Sequence, residues 1–246
     1  MEELKPLTMN RSLLNAPSVL LTADYRKYLL YAPLNQEMII GNHLFTFMIK
    51  HFRFNKLETA SFTLKGKRFL CIEQVEGITP FDTFYDFLWE SKLKFNAFLQ
   101  PRTLFELFLF DLFFPIWSKP IPKLLVAEKK NRFAVDAVVA NDFEGIHFSP
   151  LSISQLGMDH PSMRLFFSYI KADLPTILDD FLALYHEKFE VDIKYQLSYY
   201  PEHRNAYWNE VKQCFDPNYI NYVTASAHNF ISSSLEYNGS KSRSSA

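Results

Sequence analysis

The residues able to do chemistry in this chain are scattered rather than clustered. Met158-Asp159-His160-Pro161 sets a carboxylate beside an imidazole, a pairing that could orient a general base. Neighbours in sequence often point apart, however, and an aspartate just ahead of a helix start that contains proline is more commonly a turn or cap residue. Asp142, Glu144 and His147 follow one another in ANDFEGIHF and could join Asp136 around a cation, although a solvated loop accounts for them more simply. Lys119 and Lys123 alternate with prolines in SKPIPK and could hold an anion. The run Glu128-Lys129-Lys130-Asn131-Arg132 could attract phosphate, but mixed charge at a hairpin tip is usually wet surface. Tyr195, Tyr199, Tyr200, Tyr207 and Trp208 crowd around Pro201 and His203. Such rings can pack on a core by one side and meet a protein partner by the other. The sequence contains no metal-ligand cluster, phosphate-cradling glycine loop or nucleophile elbow.

Composition narrows the classes. In 246 residues, 26 Lys+Arg and 27 Asp+Glu nearly cancel, so there is no global basic field to draw the chain onto nucleic acid or anionic lipid. The opening MEELKPLTMNRSLLNAP has no continuous apolar stretch after a basic start, which leaves the cytoplasm as the expected location. Cys71 and Cys214 read as two reduced, buried thiols rather than a disulfide framework. Phenylalanine occurs 25 times and glycine six, so rings should dominate packing and tight hairpins should be few.

Hydrophobic periodicity then supplies the elements. VLLTADYRKYLLY reads as two strands about Ala23-Asp24-Tyr25-Arg26, with the second ended by Pro33. Residues 35–51 form one amphipathic helix whose polar face carries Glu37, Asn42 and Lys50. Residues 58–64 and 68–75 form a hairpin about Lys65-Gly66-Lys67. After Gly77 the pattern is helical from about Pro80, with Phe84, Tyr85, Phe87, Leu88 and Trp89 as its apolar positions. TLFELFLFDLFFPIW, interrupted only by Glu106 and Asp111, is apolar on every side and too short to span a bilayer, so it belongs inside a globular core. Two short strands are expected at 124–127 and 132–139, followed by a helical remainder. In that remainder Ile177 to Phe189 form one apolar stripe and Tyr207 to Phe215 another. The polar end, 238–246, reads as a disordered tail.

This order is α+β, and it resembles the protein-kinase-like fold, in particular the HipA-like and small-molecule kinases. The resemblance covers roughly residues 19–139. It implies an N-terminal lobe, 1–77, of a small antiparallel sheet plus one helix, and a mainly helical C-terminal lobe, 78–237. VLLTADYRKYLLY corresponds to the hairpin ending on the nucleotide-lysine strand, NQEMIIGNHLFTFMIKHF to the helix facing it, and CIEQVEG to the adenine hinge. Glu73 and Val75 are then the implied hinge residues, Lys119 and Lys123 the cations near the cleft, and Asp136 in Val135-Asp136-Ala137 the metal-binding acid. ATP and magnesium are the implied cofactors.

The catalytic positions depart from the kinase pattern. A kinase needs a lysine on the third strand and an acid on the facing helix to fix the phosphates. Here the strand reads Tyr28-Leu29-Leu30-Tyr31, with Lys27 before it and Glu37 and Asn42 nearest on the helix. The loop after the buried helix offers Ser118 to Lys123 where an aspartate and an asparagine belong. The expectation is therefore a non-catalytic, pseudokinase-like binding or regulatory module with a protein partner. Two alternatives stay open. One is an enzyme or carrier of unrelated α+β fold that holds a flat hydrophobic ligand, with Asp136, His147, Asp159 or His160 for proton transfer. The other is an active kinase using displaced Lys27, Glu37 and Asp136.

Overall fold

The computed structural model describes residues 3–10, 19–54, 56–74, 78–80, 101–117, 124–129, 132–138, 146–159, 161–168, 170–185 and 187–236. Strands β1 (Pro6–Asn10), β2 (Val19–Thr22) and β3 (Lys27–Pro33) lead into helix α1 (Gln36–His51), and β4 (Thr59–Leu64) and β5 (Lys67–Gln74) follow. These five strands form one antiparallel sheet in the order β1-β2-β3-β5-β4, with α1 crossing between the third and fourth strands. The fold is α+β, with this sheet N-terminal and most helix C-terminal. β1 has no counterpart in the sequence reading, because its short stretch PLTMN lacks a clear period.

β5 lies inside the sheet between β3 and β4, and both of its faces are buried. Leu70 and Ile72 belong to the large core that includes α1, whereas Cys71 joins Leu20, Tyr28 and Ala60 in a second, smaller cluster. The sheet also curls. Leu4 N–H donates to Ser61 O at 2.7 Å on the outer edge of β4, while β1, only two residues further on, pairs with β2 at the opposite edge. Joining the two edges through one segment removes exposed pairing groups that would otherwise template aggregation. Cys71 and Cys214 are free and buried, and burial pushes the Cys71 thiol up to about 12.

With glycine scarce, other residues take left-handed positions. In the β4–β5 turn Lys65 (φ 49°) precedes Gly66 (φ 74°), the backbone of a two-residue hairpin loop. Tyr25 (φ 63°) occupies the tip of the β2–β3 hairpin, where Thr22 N–H donates to Arg26 O and Tyr25 N–H to Thr22 O. Arg53 (φ 61°) ends α1 in a Schellman motif: Phe54 N–H donates to Ile49 O at 2.9 Å and Arg53 N–H to Lys50 O at 3.1 Å. The helix begins equally well defined, since Asn35 Oδ1 accepts from Met38 N–H at 2.8 Å.

Strand β6 (Ile78–Pro80) follows, then helix α2 (Pro101–Phe113), strands β7 (Leu124–Lys129) and β8 (Arg132–Val138), and helices α3 (Pro161–Ser168), α4 (Leu174–Leu184), α5 (Glu187–Leu197), α6 (Arg204–Val211) and α7 (Pro217–Glu236). A single 3₁₀ turn, Lys212–Phe215, joins the last two. Residues 78–80 are a strand paired with β7 rather than part of a helix, so proline there closes a short edge strand. The helix expected around Phe84 to Trp89, the tail from 238 and Val75 beside the expected lobe boundary lie outside the described residues. α2 is buried almost all round, with Phe105, Phe108, Phe110 and Phe113 at 1% exposure or less. The stripe from Ile177 to Phe189 is divided at Tyr185. Its hydroxyl donates to Cys214 O and its ring stacks on Phe215 at 5.3 Å, so tertiary contacts end the helix where periodicity alone would continue it.

α1 is bound to the helical half by its last residues. The Phe52 ring lies 4.7 Å from Phe181, 5.3 Å from Phe189, and 5.5 Å from both Phe110 and Phe114. His51 stacks on Phe189 at 4.0 Å and donates from Nε2 to Leu184 O at 2.9 Å. Removing the Phe52 ring leaves a cavity at the junction of four helices, and Phe52→Ala should destabilise the chain by about 3–5 kcal/mol in urea unfolding. Arg53→Gly should stabilise it by about 0.5–1 kcal/mol in the same assay, because glycine adopts positive φ without a Cβ clash.

Candidate functional site

The polar face of α1 borders the ring cage, with Phe47 at its margin stacked on Phe189 at 5.9 Å. Asn42, Thr46 and Lys50 recur at four-residue spacing, as do Ile39, His43 and Phe47, so these six share one broad strip. The strip forms one wall of a cavity of about 420 Å³. Arg26 and Tyr28 at the start of β3, Lys56, Glu58, Thr59 and Ala60 at the entry to β4, Gln196 of α5, Tyr200 just beyond it, and Leu4 complete the lining. The volume lies within the roughly 300–1,000 Å³ range of small-molecule sites.

Polar contacts fix the walls. His43 Nε2 donates to Gln196 Oε1 at 2.9 Å, which joins α1 to α5, and its ring meets Tyr200 edge-on at 5.5 Å. Thr59 Oγ1 donates to the buried Asn42 Oδ1 at 3.1 Å, joining α1 to β4. The Lys56 ammonium reaches only Thr59 Oγ1 at 3.4 Å and Leu57 O at 3.5 Å, and among the described residues it pairs with no carboxylate. Burial, with Lys50 adding repulsion, holds its pKa below the ordinary lysine value, while Glu58 opposes the shift. Thr46 Oγ1 is buried with no hydrogen-bond partner among the described residues. On the wall Arg26, Lys50 and Lys56 thus face a single carboxylate, Glu58.

A second cavity of about 460 Å³ lies among α2, α4 and the end of α1. Its Arg102 is already neutralised, by Glu106 at 2.8 Å and Asp180 at 2.6 Å. In the smaller cavity Arg26 is paired in turn, with Asp24 at 3.0 Å, and the excess positive charge rests on Lys50 and Lys56.

Of the residues named from sequence, Glu73 lies close to this cavity, though not on its wall. Its Oε1 is 4.0 Å from Arg26 Nη1, its Oε2 accepts from Glu58 N–H at 3.4 Å, and its own N–H donates to Glu58 O at 2.9 Å. Asp136 falls at a bulge, because Leu125 pairs with Ala137 and Val126 with Val135, leaving Asp136 as the extra residue. Lys27 and Glu37 are both exposed, at the first residue of β3 and in the first turn of α1. His147 is 82% exposed and sits 3.2 Å from Glu210, and Asp159 accepts from Arg164 Nη2 at 3.3 Å. Neither lines the cavity. Val75, Lys119, Lys123, Asp142, Glu144 and His160 lie outside the described residues.

The tyrosine-rich segment divides. Tyr207 is buried, Trp208 lies under the Lys194 ammonium at 4.4 Å, and Tyr200 faces the cavity. Tyr195 and Tyr199 are exposed and share a 2.9 Å hydroxyl contact.

The chain matches no family model and no curated protein sequence. Among the described residues no helix is long and apolar enough to cross a membrane, and no group of three or more His, Cys, Asp or Glu could hold a metal ion.

Sequence reasoning noticed Asn42 and Lys50 but missed Arg26, Thr46 and Lys56 as parts of a site. The polar strip on an otherwise apolar α1 is the signal that could have found Thr46. Lys56 stands in a connecting segment, and only the folded backbone brings it under the helix. Because native burial disfavours its charge, the unfolded chain binds more protons between the lowered native pKa and the ordinary value of 10.5. Stability from this residue therefore rises with pH through that window. Lys56→Met should melt at or above the parent temperature at pH 7, and the difference should shrink as pH approaches 10.5.

Proposed function

We propose that this chain is a non-catalytic, kinase-like binding module whose ligand site is the cavity beside α1. The order of elements supports the kinase-like part: a hairpin, a third strand, a helix against the sheet, a returning hairpin, a buried helix and a strand pair carrying Asp136. The kinase pattern would place a phosphate-holding lysine within that third strand. Residues Tyr28 to Ala32 of β3 carry no cation, and Lys27 stands exposed at its first residue.

The observation that carries the binding role is the cavity itself. Helices α1 and α5 and strands β3 and β4 converge on it, the His43–Gln196 and Thr59–Asn42 bonds tie α1 to α5 and to β4, and its Lys56 and Thr46 lack strong partners among the described residues. A site built this way selects and holds a ligand by shape and charge. Binding there would link the sheet to α5, the arrangement a regulatory module needs to pass occupancy on to a partner protein. The cytoplasm remains the expected location.

Incubated with magnesium and ATP, the purified chain should release phosphate no faster than buffer and should not label itself. Asp136→Ala should give the same result. Turnover above background that Asp136→Ala abolishes would overturn the non-catalytic reading and favour a kinase with displaced groups.

A further inference from the structure

We infer that the cavity beside α1 takes an aromatic oxyanion, meaning a compact carboxylate or phosphate group carried on a flat ring, with Lys56 and Thr46 receiving the charged end. The inference rests on the proposed binding role of this cavity and adds the chemical class of what fills it.

Two donors on the wall are left wanting. The Lys56 ammonium has only contacts of 3.4 and 3.5 Å to neutral oxygens, at the long end of useful hydrogen bonds. The Thr46 hydroxyl is buried without a partner among the described residues. A desolvated ammonium lacking a carboxylate costs free energy that an incoming anion recovers. Lys50 adds positive charge on the same wall, where Glu58 is the lining carboxylate, while Arg26 is held by Asp24 at 3.0 Å and Glu73 at 4.0 Å. Charge-assisted hydrogen bonds from lysine and hydroxyl to an oxyanion are shorter and stronger than those now present. The lowered lysine pKa agrees with this geometry, since a bound anion would favour the charged form that burial disfavours.

The rest of the lining determines the ligand's body. Tyr28, Phe47 and Tyr200 offer ring faces or edges, and His43 is held by Gln196. A flat ring gains both burial and aromatic contact there.

The test uses the full chain and three probes in isothermal titration calorimetry and thermal unfolding: phenyl phosphate, benzoate and benzyl alcohol. Phenyl phosphate or benzoate should bind at least tenfold more tightly than benzyl alcohol and raise the melting temperature. Lys56→Met should lose at least tenfold in anion affinity while melting no lower than the parent. Thr46→Val, nearly the same size, should lose several-fold and provides the check should Lys56→Met fail to fold. Inorganic phosphate binding as tightly as phenyl phosphate would overturn the aromatic part. Benzyl alcohol binding as well as the anions would overturn the charge class while leaving a ligand cavity in place. If no probe binds, both the ligand class and the binding role of this cavity fall.

Discussion

The burial of Phe52 among the rings of Phe110, Phe114, Phe181 and Phe189 is the contact on which the remaining architecture depends. Aromatic pairs contribute about 0.5–1.5 kcal/mol each beyond their buried area, and here one ring takes part in several of them. Phe52 is the residue that closes α1, so the same cage fixes the helix end, its crossing over the sheet and its approach to α4 and α5. Once that end is anchored, the opposite strip of α1 has no freedom of rotation. Asn42, Thr46 and Lys50 must then face β4 and the start of β3, and the cavity exists because the core on the other side of the helix is full.

Stability and function pull apart along this one helix. Toward the core every rule of packing is obeyed, with Leu44, Met48 and Ile49 almost wholly buried. Toward the cavity two are broken: the lysine of the connecting segment is desolvated, and the Thr46 hydroxyl has no hydrogen-bond partner among the described residues. Natural sequences concentrate such violations where a binding site requires them. The ring cage on one side thus supports strain on the other.

Much of the fold could be read from the chain. Helix α1 and the hairpin β4–β5 fall within a residue or so of expectation, because an amphipathic period and a Lys-Gly turn are local signals. Proline set the start of α2 and the end of β3 for equally local reasons. What escaped was long-range. β1 forms because β2 offers it an edge, β6 because β7 does, and the break at Tyr185 because Cys214 O accepts its hydroxyl. The site followed the same division. Glu73 stands out locally by its place in a hinge-like pattern, and it lies beside the cavity's Arg26 and Glu58. Lys56 carries no local mark at all, since nothing in NKLE states that a helix lies over it.

Hydrogen–deuterium exchange on the full chain, with and without saturating phenyl phosphate, tests the central claim that this cavity is the ligand site. Protection should rise in residues 42–50, 56–60 and 196–200, the segments that meet around Lys56, and stay unchanged in 118–136. Protection confined to 118–136, with none along α1, would place binding around Asp136 instead and contradict the account.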